Sequence, residues 1–158
     1  MPVKKYISGN SNTKSDFYVE FSPAKSGKIS IDIHSKSAIL HGTRLWQVSN
    51  ATLVDLQIEH GKLTIVDNGG QYFVLQARIE AAIKSAYPSM NLESLPELKK
   101  HSTYKSTADR FRRSRLYIPG NQAKLMLNAG IHKPDAIILD LEDSVSPVEK
   151  ESARIIVR

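Results

Sequence analysis

Apolar and polar residues alternate in the first part of the chain. The period of two in residues 17–21 and again in residues 29–33 predicts two strands, each with one apolar face. Residues 23–27 contain proline and glycine and predict the hairpin loop between these strands. Residues 1–15 are rich in Ser, Asn, Thr and Lys, so we expect a loop or arm there and an ordered fold from Asp16 onward.

The pattern then changes to a helical one. Residues 37–56 predict a helix, residues 63–66 a third strand closed by a turn at residues 67–70, and residues 72–86 a second helix ended by Pro88. Five apolar residues of the first helix can share one stripe, and they are Ile39, Leu40, Trp46, Leu53 and Val54. The fold class predicted for residues 1–86 is therefore α+β, with the order ββαβα.

The last part of the chain has a different pattern. Residues 116–118 and 136–139 are short continuous apolar runs, and residues 122–128 between them predict a helix. This is a βαβ unit of a parallel α/β sheet, in which we expect the second strand to be buried on both faces. Pro147 predicts the start of a final helix. Two strands cannot bury a parallel sheet, so we expect residues 113–158 to be part of a larger domain, incomplete here.

Composition excludes several classes of protein. No segment has the eighteen or so consecutive apolar residues of a membrane span, and the first ten residues do not have the pattern of a secretion signal. Cysteine is absent, which excludes disulfides, thiolate metal ligands and a thiol nucleophile of the chain's own. These features indicate a globular protein, for which we expect a cytoplasmic location and no membrane partner.

The positive charge is concentrated in one stretch. Residues 99–115 hold seven basic residues against a single acid, Asp109, and so account for the chain's net charge of +6. We predict a basic tether over residues 87–112, because this region is also rich in Pro, Ser and Thr. A nucleic-acid binder is an alternative, but such proteins spread basic residues over a folded face with aromatic residues for stacking, so we expect no nucleic-acid partner.

Acidic residues follow the second apolar run of the last region. Asp140, Glu142 and Asp143 would lie at the carboxyl end of the strand, where β/α barrels have their active sites. Clustered carboxylates suit Mg²⁺, a hard cation that prefers oxygen ligands. A solvated acidic loop that caps the next helix is the alternative that spacing alone leaves open.

Three blocks in this region resemble the start of the citrate lyase beta subunit and the wider HpcH/HpaI aldolase family. They are Arg112–Asn121, Ala136–Val145 and the pairs Glu149–Lys150 and Ala153–Arg154. The resemblance implies a TIM-type barrel lyase in which Glu142 and Asp143 are catalytic and support a Mg²⁺ ion indirectly, with the direct ligands on later strands. It also implies that Pro119, Gly120 and Asn121 lie near the thioester cofactor, although an ordinary tight turn is equally compatible with them.

Residues 9–84 resemble the citrate lyase acyl carrier family and, more distantly, malonate decarboxylase carriers. The blocks that carry this resemblance are Phe17–Phe21, Ile29–Lys36, Gly42, Val66–Gly69 and Ala77–Ala82. In this family a serine just before the first strand carries 2'-(5''-phosphoribosyl)-3'-dephospho-CoA through a phosphodiester. The resemblance implies Ser15 as the modified residue, with Ser8 as the alternative because Ser8-Gly9 is the better local match.

Together the two resemblances imply an acyl carrier joined to a carbon–carbon lyase. The carried citryl thioester would be cleaved to an acetyl thioester and oxaloacetate, within a hetero-oligomeric complex. An alpha-type acyltransferase subunit and a prosthetic-group transferase are the implied partners. The alternative is a carrier or docking module without catalysis of its own, since a β/α barrel needs about 250 residues.

Overall fold

The computed structural model describes residues 4–97 and 107–158, and the first region folds as a four-stranded sheet with two helices. The two helices pack on the face of the sheet that carries Phe17, Val19 and Phe21. The predicted α+β class is therefore confirmed for this region. The elements are β1 (Tyr6–Ser8), β2 (Phe17–Pro23), β3 (Ile29–Ser35), α1 (Ala38–Asp55), β4 (Gly61–Asp67) and α2 (Tyr72–Ala86).

The sheet has the order β1-β2-β4-β3, which contradicts the predicted hairpin between the first two long strands. Strand β4 lies between them, antiparallel to β2 and parallel to β3. A parallel pair needs a long crossover connection, and α1 supplies it between β3 and β4. The period of two correctly identified one apolar face on each strand, but it contains no information about which strands are neighbours.

Strand β1 lies within the segment that was expected to be an unstructured arm. Tyr6–Ser8 pairs antiparallel with β2. The strand has three residues, too few to produce a recognisable alternation. Gly9 follows it with φ +84°, and a β-carbon there would lie 2.0 Å from the Phe17 carbonyl oxygen. The close pairing of the two chain segments therefore requires glycine at this position.

Helix α1 has the predicted bounds but a different buried face. Ile39, Leu40, Trp46 and Val54 are exposed, and the buried residues are Leu45, Val48, Ser49, Thr52 and Leu53. The hydroxyl groups of the two polar residues donate back to the carbonyl oxygens four residues earlier, each at 2.8 Å. Because these hydroxyls are satisfied within the helix, they can be buried. The expected apolar stripe is therefore wrong for four of its five residues, and only Leu53 is buried as predicted.

Part of the predicted tether packs on the first region. Tyr87, Met90 and Leu95 lie against its core, and the backbone amide of Ser94 donates to the Glu80 carboxylate at 2.9 Å. Lys99, Lys100 and Lys105, which carry much of the predicted basic stretch, lie outside the described residues.

The second region is the predicted βαβ unit. Its elements are β5 (Arg115–Pro119), α3 (Ala123–Asn128), β6 (Ala136–Asp140) and α4 (Lys150–Val157), with short 3-10 turns before β6 and before α4. Strands β5 and β6 are parallel. The prediction that the second strand is buried on both faces is wrong, because Ile137 is 45% exposed. In the described part of the chain this sheet has two strands, and nothing covers its second face.

The two regions share one hydrophobic core. Helix α4 packs against α2, and Ala123 and Ile156 of the second region belong to the same buried cluster as the residues of the first. At the edge of this contact the buried Glu80 carboxylate pairs with Lys84 at 2.9 Å and with Arg158 at 3.0 Å. Burial opposes its ionised form, but the hydrogen bonds from Lys84, Ser94 and Arg158 prevail and lower the pKa of Glu80.

Candidate functional site

Ser15 lies in a tight turn immediately before β2. Its φ is 59°, a left-handed conformation that costs a non-glycine residue roughly 1–2 kcal/mol. Two backbone hydrogen bonds hold the turn against the loop after β4: the Ser15 amide donates to the Asn68 carbonyl at 2.9 Å, and the Asn68 amide donates to the Asp16 carbonyl at 3.1 Å. The side chain of Ser15 is half-buried, so the turn presents a hydroxyl group at the surface from a fixed backbone.

A buried ion pair supports this turn from below. The Asp16 carboxylate accepts two hydrogen bonds from Arg78 of α2, at 3.0 Å from Nε and 2.6 Å from Nη2. Asp16 is 3% exposed and Arg78 is 1% exposed. Such a two-bond pairing fixes both position and orientation, and a buried charge of this kind depends on its partner. The residue next to Ser15 is therefore anchored in the core.

Sequence reasoning missed both members of this pair. Arg78 lies in the segment 77–82, which contributed only to a resemblance. Asp16 marked the start of the ordered fold and the end of Lys14-Ser15-Asp16, which stands where the family has Ser-Gly-Asp, and no partner was expected for it. A usable signal was present, because an arginine flanked by Ala77, Ile79 and Ala81 in a strongly apolar helix predicts a buried charge that needs an acidic partner.

Ser8, the alternative attachment residue, has a different environment. It is 3% exposed, and its hydroxyl shares a 2.7 Å hydrogen bond with the hydroxyl of Ser152 in α4. The Ser152 hydroxyl also accepts a hydrogen bond from Arg78 Nη1 at 2.8 Å. Ser8 is thus part of a buried polar network, and a modifying enzyme could reach it only if the two regions separated.

Two cavities flank the Ser15 turn and bear on whether a phosphate-linked group fits there. One, of about 400 Å³, has Lys14 and Lys36 in its wall. The other, of about 200 Å³, contains Ser15 itself, and its wall also includes Gly69, Gln71, Lys124, Leu127 and Asn128. An accessible hydroxyl with open space and cationic side chains around it fits a serine-linked phosphodiester.

The acidic residues after β6 do not converge. Asp140 accepts hydrogen bonds from the backbone amides of Glu142 at 2.8 Å and Ser144 at 3.1 Å. The hydrogen bond with Ser144, followed by that from Glu142, lowers the pKa of Asp140. Asp140 therefore orders the loop, while Glu142 and Asp143 are exposed.

The described part of the chain contains no cluster of side chains that could bind a metal ion. Within residues 4–97 and 107–158, no three His, Asp or Glu side chains come together as a possible metal site. Two exposed carboxylates supply only part of the six-oxygen octahedral shell of Mg²⁺. The expectation that Glu142 and Asp143 support Mg²⁺ indirectly, with the direct ligands on later strands, stays a prediction.

The turn after β5 is packed rather than open. The Gly120 amide donates to the Asp140 carbonyl at 2.7 Å, and a β-carbon at Gly120 would lie 2.6 Å from Leu141 Cδ2. Asn121 donates from Nδ2 to Glu149 at 3.1 Å, and its backbone carbonyl accepts from Arg78 at 3.1 Å. Pro119 is half-buried as the last residue of β5. These contacts give the turn a structural role in joining the two strands to α2.

Comparison with known proteins identifies both regions. A family model described as the malonate decarboxylase delta subunit, an acyl carrier protein, matches residues 4–86, and one described as HpcH/HpaI aldolase/citrate lyase matches residues 113–158. No helix in the described ranges is long and apolar enough to cross a membrane.

Individual relatives agree with both family matches. The citrate lyase acyl carrier protein of Pectobacterium atrosepticum is 31% identical over 91 residues, which is 58% of this chain and 93% of that protein. The corresponding protein of an Enterobacter species is 32% identical over 84 residues, which is 53% of this chain and 84% of that protein. Citrate lyase subunit beta of Haemophilus influenzae is 50% identical over 48 residues, which is 30% of this chain.

The two kinds of relative are covered very differently. The chain spans nearly all of the carrier protein but only 16% of the length of the beta subunit. Both resemblances expected from sequence are confirmed. The chain therefore belongs to the acyl carrier protein family of citrate lyase and malonate decarboxylase, with a segment of the HpcH/HpaI aldolase/citrate lyase family behind the carrier region.

Proposed function

We propose that this chain is the acyl carrier of a citrate-lyase-type complex and that Ser15 carries its prosthetic group, 2'-(5''-phosphoribosyl)-3'-dephospho-CoA. The observation that carries the proposal is the Ser15 turn itself. A half-buried serine has its backbone fixed by Asn68, and the next residue is anchored by a buried ion pair. The family match over residues 4–86 supports a covalently bound group in this region.

The 158 residues contain no cysteine, so a thioester carried on them requires a thiol from a bound group. When bound, it supplies the thiol on which an acyl group is held. The chain's own residues hold the attachment point of the prosthetic group. Ser15 offers the hydroxyl oxygen, and the pair of Asp16 with Arg78 anchors the turn to α2. A rigid root on a long arm keeps the acyl group close to a bound partner, which raises its effective concentration there.

The lyase part of the proposal rests on the second region. We propose that the adjoining barrel cleaves the carried citryl group to oxaloacetate and an acetyl group, with Glu142 and Asp143 beside its active site. An alpha-type acyltransferase subunit would then exchange the acetyl group on the thioester for a new citryl group, with release of acetate. The turn formed by Pro119, Gly120 and Asn121 would lie near the cofactor without binding it through side chains. The described contacts of these residues are with β6, α2 and Glu149.

Intact mass and peptide mapping test the carrier function. The protein would be co-expressed with the enzymes that make and attach the prosthetic group, and the expected result is one adduct on the peptide that contains Ser15. Ser15→Ala should abolish the adduct. Ser8→Ala is the matched control, and it should retain the adduct because Ser8 is buried beneath the surface.

Each other result has a clear meaning. An adduct that survives Ser15→Ala and disappears in Ser8→Ala would move the site to the buried serine. An adduct on neither serine would favour a docking module without a prosthetic group.

A further inference from the structure

The cavity that contains Ser15 has walls from both regions of the chain. Ser15, Gly69 and Gln71 belong to the carrier region, whereas Lys124, Leu127 and Asn128 belong to α3 of the lyase-type segment. The serine proposed to carry the arm therefore faces a helix of the segment proposed to act on the arm's cargo. Neither family match predicts this juxtaposition.

The buried polar network holds α3 at this place. Arg78 donates to the backbone carbonyl of Asn121, two residues before α3 begins, at 3.1 Å. It also donates to Ser152 of α4 at 2.8 Å, and Ser152 is bonded to Ser8. The same arginine binds Asp16, the neighbour of Ser15. One buried side chain thus fixes the serine turn and the start of α3 relative to each other.

The chemistry of the cavity suits a phosphate ester. Lys124 supplies a positive charge, and Gln71 and Asn128 supply side-chain amides that can donate hydrogen bonds. No carboxylate contributes to the wall of this cavity. The larger cavity on the other side of the turn also has lysines, but Asp67 is in its wall and Ser15 is not.

We propose that this cavity is a phosphodiester-binding subsite shared by the two regions, in which Lys124 of α3 pairs with the phosphate that joins the prosthetic group to Ser15. This inference rests on the proposed function. It makes Lys124 a positioning residue that ties the root of the arm to the lyase-type segment. The distal part of the arm, with its thiol, remains free to move.

Lysine labelling in the loaded and unloaded protein tests the subsite. Lys124 should react with an amine-reactive label about two- to fivefold more slowly once Ser15 carries the group, because the ion pair with the phosphate makes the Lys124 amine less accessible and less reactive. Lys133, an exposed lysine of the same region that does not line the cavity, is the internal control and should react at an unchanged rate.

Phosphorus NMR of the loaded protein distinguishes an ion pair between Lys124 and the phosphate from simple steric shielding of Lys124 by the prosthetic group. In Lys124→Gln the phosphodiester resonance should narrow, because the released phosphate tumbles more freely, whereas Lys133→Gln should leave its width unchanged. Both residues are exposed, so neither variant should unfold, and circular dichroism verifies this. A loaded Ser15 with equal Lys124 labelling, or with no narrowing in Lys124→Gln, would overturn the subsite and leave the carrier function standing. Absence of any adduct on Ser15 would overturn both.

Discussion

Strands β4 and β6 both contain large apolar side chains, yet these side chains are buried to very different extents. Strand β4 lies between β2 and β3, with α1 and α2 packed on the same sheet, and its Leu63 and Ile65 are completely buried. Strand β6 has one described neighbour, and its Ile137 is 45% exposed. An apolar run therefore specifies that a strand can be buried, but the number of neighbouring strands and layers decides whether it is.

The two regions also differ in how they use buried polar groups. The carrier region holds a buried arginine, Arg78, whose hydrogen bonds reach Asp16 in its own region and Ser152 and Asn121 in the other. The lyase-type segment has its buried polar contacts where it meets α2. The contact with α2, rather than the two-stranded sheet, holds this segment in a fixed position on the carrier region.

The largest expected effect comes from removing Arg78, which pairs with Asp16 in the carrier region and also donates hydrogen bonds to the second region. Arg78→Met keeps the apolar volume of the side chain but leaves Asp16 buried without its partner. Loss of one member of a buried pair typically costs about 3–5 kcal/mol. We therefore expect the free energy of unfolding, measured by urea denaturation, to fall by about this amount.

Arg44→Met is the matched control for that experiment. Arg44 is exposed on α1, where it lies over the Tyr72 ring, and the change should cost about 1 kcal/mol or less. If both variants lost the same small amount of stability, the buried network around Arg78 would not be a main source of the stability of the fold.

The success and failure of sequence reasoning follow the same division. Alternation in residues 17–21 correctly predicted a strand with one buried face, because period is a local property of the chain. The position of β4 between β2 and β3 was not predictable in this way, since strand neighbours depend on the crossover through α1. The prediction of which face of α1 is buried was wrong because the hydroxyl groups of Ser49 and Thr52 donate to carbonyl oxygens of their own helix and can therefore be buried.

The candidate site shows the same limit. Ser15 was found because it lies in a recognisable place in the sequence, just before a long strand. Arg78 and Lys124, which contribute to its surroundings, lie 63 and 109 positions after it in the sequence. Their roles depend on tertiary contacts between α2, α3 and the Ser15 turn, and a single sequence contains no record of those contacts.

Core truncation in the two strands is expected to give the next largest effect. Ile65→Ala removes a completely buried side chain from the centre of the four-stranded sheet and should cost about 2–5 kcal/mol. Ile137→Ala, in β6, should cost about 1 kcal/mol or less because the side chain is already in contact with water. Urea denaturation of both variants measures the difference. Equal losses would mean that the face of β6 is covered in solution.

The smallest effect tests how the start of the second sheet is held. Asp135, just before β6, pairs with the Arg113 side chain at 3.3 Å and accepts from the Ser114 amide at 3.1 Å. The Arg113 hydrogen bond is the largest of several causes that lower the pKa of Asp135 to about 2. A carboxyl group whose pKa is lowered in the folded state stabilises the fold above its unfolded pKa of about 3.9, and that contribution disappears as the pH falls through about 2.

Arg113→Gln should raise the pKa of Asp135 towards its ordinary value without reaching it, because the Ser114 amide still donates. The side-chain carboxyl resonance of Asp135, followed by NMR between pH 1.5 and about 6, measures the change across the range in which aspartate titrates. Arg115→Gln removes a nearby charge that makes no described hydrogen bond to Asp135, so it should leave the pKa close to that of the unmodified protein. A pKa that stayed at about 2 in Arg113→Gln would assign the effect to the backbone amides. The anchoring of β5 to the start of β6 would then not depend on the basic stretch.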